Sequence, residues 1–214
     1  MKKYFNVNRA CDPKRHYMVN LDSRLQAIHK MVDIGEYFTI NKARQYGKTT
    51  TLRALARYLK NDYDVVSLDF QTLSADSFEN DKTFVASFAN ELLDNIASFP
   101  DGIEEKINEL GQKSGEPYTL QDLFRVLKLW CKKADRRIVL LIDEVDTATN
   151  NQFFLAFMAQ LRATYLKRPD VATFQSVILA GVHDVSSIRR KIRTDASLMK
   201  NSTLNIEEEY GLHM

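Results

Sequence analysis

Glycine and proline are scarce in this chain, 7 and 4 of 214 residues, which excludes collagen-like, linker-rich and low-complexity architectures. Regular elements joined by short connections are left. Cysteine occurs twice, at Cys11 and Cys131, with no metal-ligand spacing. That excludes a disulfide scaffold and a cysteine-built zinc site, and reads as reduced thiols in a cytoplasmic protein. Long apolar runs are missing. The cleanest is Ile138–Ile142, far below the roughly 18 residues of a membrane helix. The N-terminal stretch MKKYFNVNRACDPKRHY is basic, but no apolar segment follows it, which argues against a secretory signal. Neither sign of charge dominates: the net charge of +2 gives no reason to expect nucleic acid as a partner. The most basic run, Arg189-Arg190-Lys191-Ile192-Arg193, is open to three readings: a solvated helix face, a phosphate contact or a subunit interface.

What is present is an ordinary globular composition, 44% hydrophobic and 27% charged, enough to bury the core of one domain spanning residues 1–214. Asp22-Ser23 opens a helix in which Leu25, Ile28, Met31 and Val32 recur at helical spacing, and Gly35 ends it. Tyr37–Ile40 reads as a strand, Asn41 to Gly47 as a polar turn, and Lys48 starts a helix with Leu52, Leu55, Ala56 and Leu59 on one face. Val65–Phe70 is a second strand. A helical insertion over about residues 78–134 follows. Its first stripe, Phe84, Val85, Phe88, Leu92 and Ile96, ends at Pro100-Asp101-Gly102. A weaker piece covers Ile103–Leu110, and Thr119 heads a third helix with Asp122 placed as in a capping box. Then come the strand Ile138–Ile142, a helix after Asn150 burying Phe153, Phe154, Phe157 and Leu161, and the strand Ser176–Ala180 stopped at Gly181. Beyond it the pattern predicts a basic helix around Ile188–Ile192 and a short edge strand near Leu204–Ile206. Strands alternating with helices predict an α/β fold with a mostly parallel central sheet flanked by helices. The strand at Ile138, apolar on both faces, belongs in its middle.

Two segments carry chemistry. The first is Asn41-Lys42-Ala43-Arg44-Gln45-Tyr46-Gly47-Lys48-Thr49-Thr50, between a strand and a helix. Gly47 permits a tight loop whose backbone N–H groups wrap a phosphate, and the helix adds its positive end. Lys48 is then placed for the β and γ oxygens and Thr49 for Mg²⁺. The usual G-x-x-x-x-G-K-[ST] pattern has glycine where this chain has Lys42. That narrows the loop's backbone freedom but leaves the lysine, the hydroxyl and the helix terminus. The second segment is an apolar strand that ends in Asp143-Glu144. At the C-terminal end of a parallel strand, side chains reach the crevice where ligands bind. Asp143 suits the shell of Mg²⁺, and Glu144 suits the polarisation of an attacking water. The plain alternative is a pair of acids at a helix N-terminus.

Weaker candidates are Asp184 or His183 after the last strand as γ-phosphate sensors, with a simple turn as the alternative. Arg162 is either a catalytic arginine or a helix-surface one. Arg44 and Tyr46 touch phosphate or base or merely shape the loop, and His16 and Tyr17 precede the first helix, where such folds cover adenine. His29 reads as structural. No serine-histidine-aspartate elbow and no His-Glu-x-x-His is present.

The segments TINKARQYGKTTTL, IVLLIDEVD, FQSVILAGVHDV and KNSTLNI together resemble the AAA-ATPase-like family of P-loop ATPases, near the signal-transduction (STAND) NTPases and the archaeal ATPases. The resemblance spans nearly the whole chain and implies a P-loop fold of the additional-strand type. It implies that a basic residue at Lys42 is a family trait. It also implies Walker A roles for Lys48 and Thr49, and Walker B roles for Asp143 and Glu144. Relatives continue past an Asn-Ser-Pro-like segment into a lid; Asn201-Ser202-Thr203 lacks the proline, and a lid is expected to be missing from this sequence.

The expected function is therefore Mg²⁺-dependent binding and slow hydrolysis of ATP, with Glu144 and Lys48 catalytic. Residues Lys42 to Thr50 and Asp184 would bind nucleotide, and Thr49 and Asp143 would hold the metal. The chain would act as a switch or motor for a homo-oligomer or an unknown protein partner. A nucleotide-holding module without turnover and a nucleic-acid-associated ATPase are the alternatives.

Overall fold

The structure, a computed structural model, describes residues 20–41, 48–112, 118–145 and 151–181. The helices are α1 (Asp22–Asp33), α2 (Lys48–Leu59), α3 (Asp81–Asn95), α4 (Ile103–Gly111), α5 (Leu120–Lys133) and α6 (Gln152–Leu166). The strands are β1 (Tyr37–Asn41), β2 (Asp64–Asp69), β3 (Ile138–Asp143) and β4 (Ser176–Gly181). They form one sheet in the order β1-β4-β3-β2, with every neighbouring pair parallel. The last strand of the described chain thus lies between β1 and β3, which is the added strand of the P-loop architecture.

Alternation along the strands sorts the core into two layers. Phe38 and Ile40, Val139 and Leu141, and Ile178 and Ala180 face α1 and α2. Tyr37, Val66 and Leu68, Ile138, Leu140 and Ile142, and Val177 and Leu179 face the layer built by α3 to α6. Every residue of β3 and of β4 is buried, as expected of central parallel strands covered on both sides. In the second layer the Phe157 ring of α6 lies 5.2 and 5.0 Å from Phe84 and Phe88 of α3, and 5.6 Å from Phe124 of α5. The helices inserted between β2 and β3 are thereby packed onto the sheet as part of one core.

Local signals act where they were read. Thr119 accepts from the Asp122 N–H, and Asp122 accepts from the Thr119 N–H, completing a capping box that starts α5. A second box, Asn80 with Thr83, starts α3. Gly35, at φ 74°, turns the chain out of α1 into β1. Two expectations are corrected. Strand β2 ends at Asp69 rather than Phe70, because the Asp69 carboxylate accepts from the Gln71 N–H and pulls Phe70–Thr72 into a 3-10 turn. Phe153 is half-buried, while Met158 and Tyr165, on the opposite side of α6, are buried. The basic helix and the edge strand expected beyond Gly181 lie outside the described residues. Among the described residues no helix is long and apolar enough to cross a membrane.

Candidate functional site

In a parallel sheet all C-terminal strand ends share one edge, and helix α2 begins at that edge with Lys48. Strand β3 lies two positions from β1, about 10 Å away, and α2, which packs across the sheet against β2 and β3, brings its first turn to the end of β3. The parity of β3 decides what it meets. Asp143 follows Val139 and Leu141 onto the α1/α2 face. The Lys48 Nζ stands 3.1 Å from Asp143 Oδ1 and 2.8 Å from Glu144 Oε1. The Thr49 hydroxyl donates to Asp143 Oδ2 at 3.2 Å, and the Glu144 N–H donates to Asp143 Oδ1 at 2.8 Å.

The cluster is largely dry: the Lys48 and Asp143 side chains are 7% and 9% exposed, and that of Glu144 is 23% exposed. Burial works to lower the pKa of Lys48, but the hydrogen bonds and charges of Glu144 and Asp143 outweigh it. The ammonium is held above its ordinary value and stays charged. Glu144 is the one residue other than glycine with positive φ among those described, at 56°. The left-handed region is uncommon for a residue with a Cβ and marks a constrained strand end.

These residues fit a magnesium nucleotide. Two ligands at right angles in the octahedral shell of Mg²⁺, each at ~2.1 Å, stand about 3 Å apart. Thr49 Oγ1 and Asp143 Oδ2, both hard oxygens, are separated by 3.2 Å. No group of three or more histidine, cysteine or acidic residues able to hold a metal occurs among the described residues.

Of the other sequence candidates, Thr50 lies half-buried in the first turn of α2. Lys42, Ala43, Arg44, Gln45, Tyr46, Gly47, His16, Tyr17, His183, Asp184 and the Arg189–Arg193 run lie outside the described residues. Arg162 is placed away from the cluster: its guanidinium sits over the ring of Tyr37, 5.4 Å from the centroid. Tyr37 begins β1, and the cluster gathers where the strands end, so Arg162 serves packing. His29 bridges Asp33 and Asp62, 3.1 Å from each, tying α1 to the turn after α2, a structural role. Asn41, the last residue of β1 and the first of the segment expected to cradle phosphate, carries a buried Oδ1 with no hydrogen-bond partner among the described residues.

A family model described as an AAA-like domain matches residues 12–207. No curated protein matches the chain by sequence. Among solved structures the fold is similar to the Walker-type ATPase PABY2304 of Pyrococcus abyssi, with 14% identity and a TM-score of 0.55. That match covers 84% of this chain and 49% of the other. It is also similar to the ORC1 protein of Aeropyrum pernix in complex with DNA, with 10% identity, a TM-score of 0.53, and 86% and 44% of the two chains covered. The chain thus spans half or less of the length of either structure. At such identities the likeness carries the fold. Together with the family match and the added strand between β1 and β3, it leads to one conclusion: the chain belongs to the AAA-like domain family and has the α/β fold of P-loop ATPases.

Proposed function

We propose that the chain binds ATP with magnesium at the C-terminal edge of the sheet and hydrolyses it slowly to ADP and phosphate. The observation that carries this reading is the meeting of three groups from two distant segments: the Lys48 ammonium and the Thr49 hydroxyl both contact the Asp143 carboxylate. Lys48 would neutralise the β and γ oxygens, and the amino end of α2 would add its dipole. Thr49 and Asp143 would hold the metal, which supplies charge neutralisation for the transferred phosphoryl group. Glu144, more exposed than Asp143 and just past the strand end, would orient a water. The residues of the 42–47 loop would wrap the phosphates with backbone N–H groups, and Asp184 would sense the γ-phosphate. Catalysis of this kind is positioning and electrostatics rather than covalent chemistry. Turnover would work as a switch or motor on a further copy of the chain or on another protein.

Calorimetric titration with ATP and magnesium, on the wild type and on Lys48→Ala, tests the binding step. Binding is expected to disappear in the variant while its circular dichroism stays that of a folded protein. Equal binding by both proteins would end the proposal. Phosphate release by the wild type and by Glu144→Gln tests turnover. Release is expected to fall by about 10²-fold or more, in line with the loss of a general base, and an unchanged rate would remove Glu144 from the chemistry.

A further inference from the structure

Lys48, Thr49, Asp143 and Glu144, to which the phosphate, metal and water roles fall, are engaged with one another. An ammonium has three N–H donors, and the carboxylates of Glu144 and Asp143 take two of those on Lys48. A lysine that grips both a β and a γ oxygen needs two, so one carboxylate has to leave. The two are not equally fixed. Asp143 is 9% exposed, lies within β3, and also accepts from the Thr49 hydroxyl and the Glu144 N–H. Glu144 lies beyond the strand, has a side chain that is longer by one methylene and 23% exposed, and keeps a backbone φ of 56°. A residue with a Cβ keeps that conformation only while its surroundings hold it there, and the bond to Lys48 is one of the contacts that do.

From this we infer that Glu144 is a gate on nucleotide entry: in the free protein its carboxylate takes the Lys48 hydrogen bond that a phosphate oxygen needs, and nucleotide binds by displacing it. The inference rests on the reading of Lys48 as a phosphate ligand. It adds a consequence. The movement that frees the ammonium also frees the Glu144 carboxylate to face water, so occupancy of the site and readiness of its base become one event. An empty site cannot present an activated Glu144.

The test uses a non-hydrolysable ATP analogue without magnesium, a probe that carries both β and γ oxygens and cannot turn over, titrated into the wild type, Glu144→Gln, Glu144→Asp and Lys48→Ala. Glu144→Asp keeps the negative charge but is one methylene too short to hold the 2.8 Å contact. Both Glu144 variants are expected to bind the analogue about three- to tenfold more tightly, as befits the loss of one competing charge-assisted hydrogen bond. Tighter binding by Glu144→Gln alone would mean that Glu144 acts through charge repulsion, and the gate falls. Affinities that match or fall below the wild type in both variants overturn it as well. If Lys48→Ala loses the analogue while the Glu144 variants match the wild type, the gate is wrong and the phosphate-ligand reading stands. If Lys48→Ala binds the analogue like the wild type, that reading fails and takes the gate with it.

Discussion

Thr49 opens helix α2 and Asp143 closes strand β3, 94 residues later in the chain, and the hydroxyl of one donates to the carboxylate of the other at 3.2 Å. Neither residue has this partner by local sequence. The contact arises because β4 spaces β1 from β3, and because the pleat turns Asp143 toward the face that α2 covers.

The first expectation follows from that pair. Thr49→Ala would remove one hard oxygen ligand, Asp143→Asn would replace a charged one by a neutral amide oxygen, and both leave Lys48 in place. Magnesium should then add little to ATP affinity, with the ratio of affinities with and without the ion falling close to one. A ratio equal to the wild type's in both variants would take Thr49 and Asp143 out of the metal site.

Lys48 also has a structural consequence. Asp143 is buried, and Lys48 is its cation, so Lys48→Ala leaves a buried carboxylate without compensation, at a cost of ~3 kcal/mol. The double variant Lys48→Ala/Asp143→Asn should recover most of that loss in urea unfolding. No recovery would show that the pair is not coupled.

The aromatic layer predicts a different loss. Phe157 is fully buried and touches rings from α3 and α5, and Phe157→Ala should cost about 3–5 kcal/mol. A loss below ~1 kcal/mol would mean that the inserted helices are not tied to the sheet through this ring.

The cap of α5 predicts a dependence on pH. The Asp122 carboxyl is held below its ordinary value first by the hydroxyl and then by the N–H of Thr119. A carboxyl lowered in the folded state stabilises fully above its unfolded value near 3.8, and loses that contribution as the pH falls through the lower folded value. Asp122→Asn should therefore be less stable than the wild type at neutral pH, by about 1 kcal/mol, and the two should converge in acid. A gap that stays constant down to pH 2, measured by thermal melting, would count against the capping role.

Arg162 predicts an absence of effect on chemistry. Its guanidinium lies on Tyr37 at the opposite end of β1 from the lysine, so Arg162→Ala should leave phosphate release unchanged and cost about 1 kcal/mol of stability. A drop in release with unchanged stability would restore it as a catalytic arginine.

Much of the fold was legible in local signals. The Thr119 and Asp122 pair marks the start of α5 to the residue, because a capping box is a contact between residues three apart. The apolar run of β3 marks a central strand, because only burial on both faces tolerates such composition. The end of β2 was misplaced by one residue, since the side chain of Asp69 overrides the β preference of Phe70. Phe153 was assigned to the core because its neighbours on α6 are nearly all apolar, which blurs the helical stripe. Asn41 opens the segment expected to cradle phosphate, but the burial of its amide oxygen, without a hydrogen-bond partner among the described residues, follows only once the strands are packed.

Sequence alone determined the parts: a glycine-lysine-threonine step at the head of an amphipathic helix, and two acids at the end of a buried strand. Those are short-range patterns, governed by backbone preferences and side-chain periodicity over a few residues. The tertiary structure decided that β4 separates the two strands, that Asp143 rather than Glu144 meets Thr49, that Lys48 divides itself between both carboxylates, and that Arg162 faces away. Such choices depend on strand order and on which side of the pleat each residue takes, and both are settled only when the two helix layers close over the sheet.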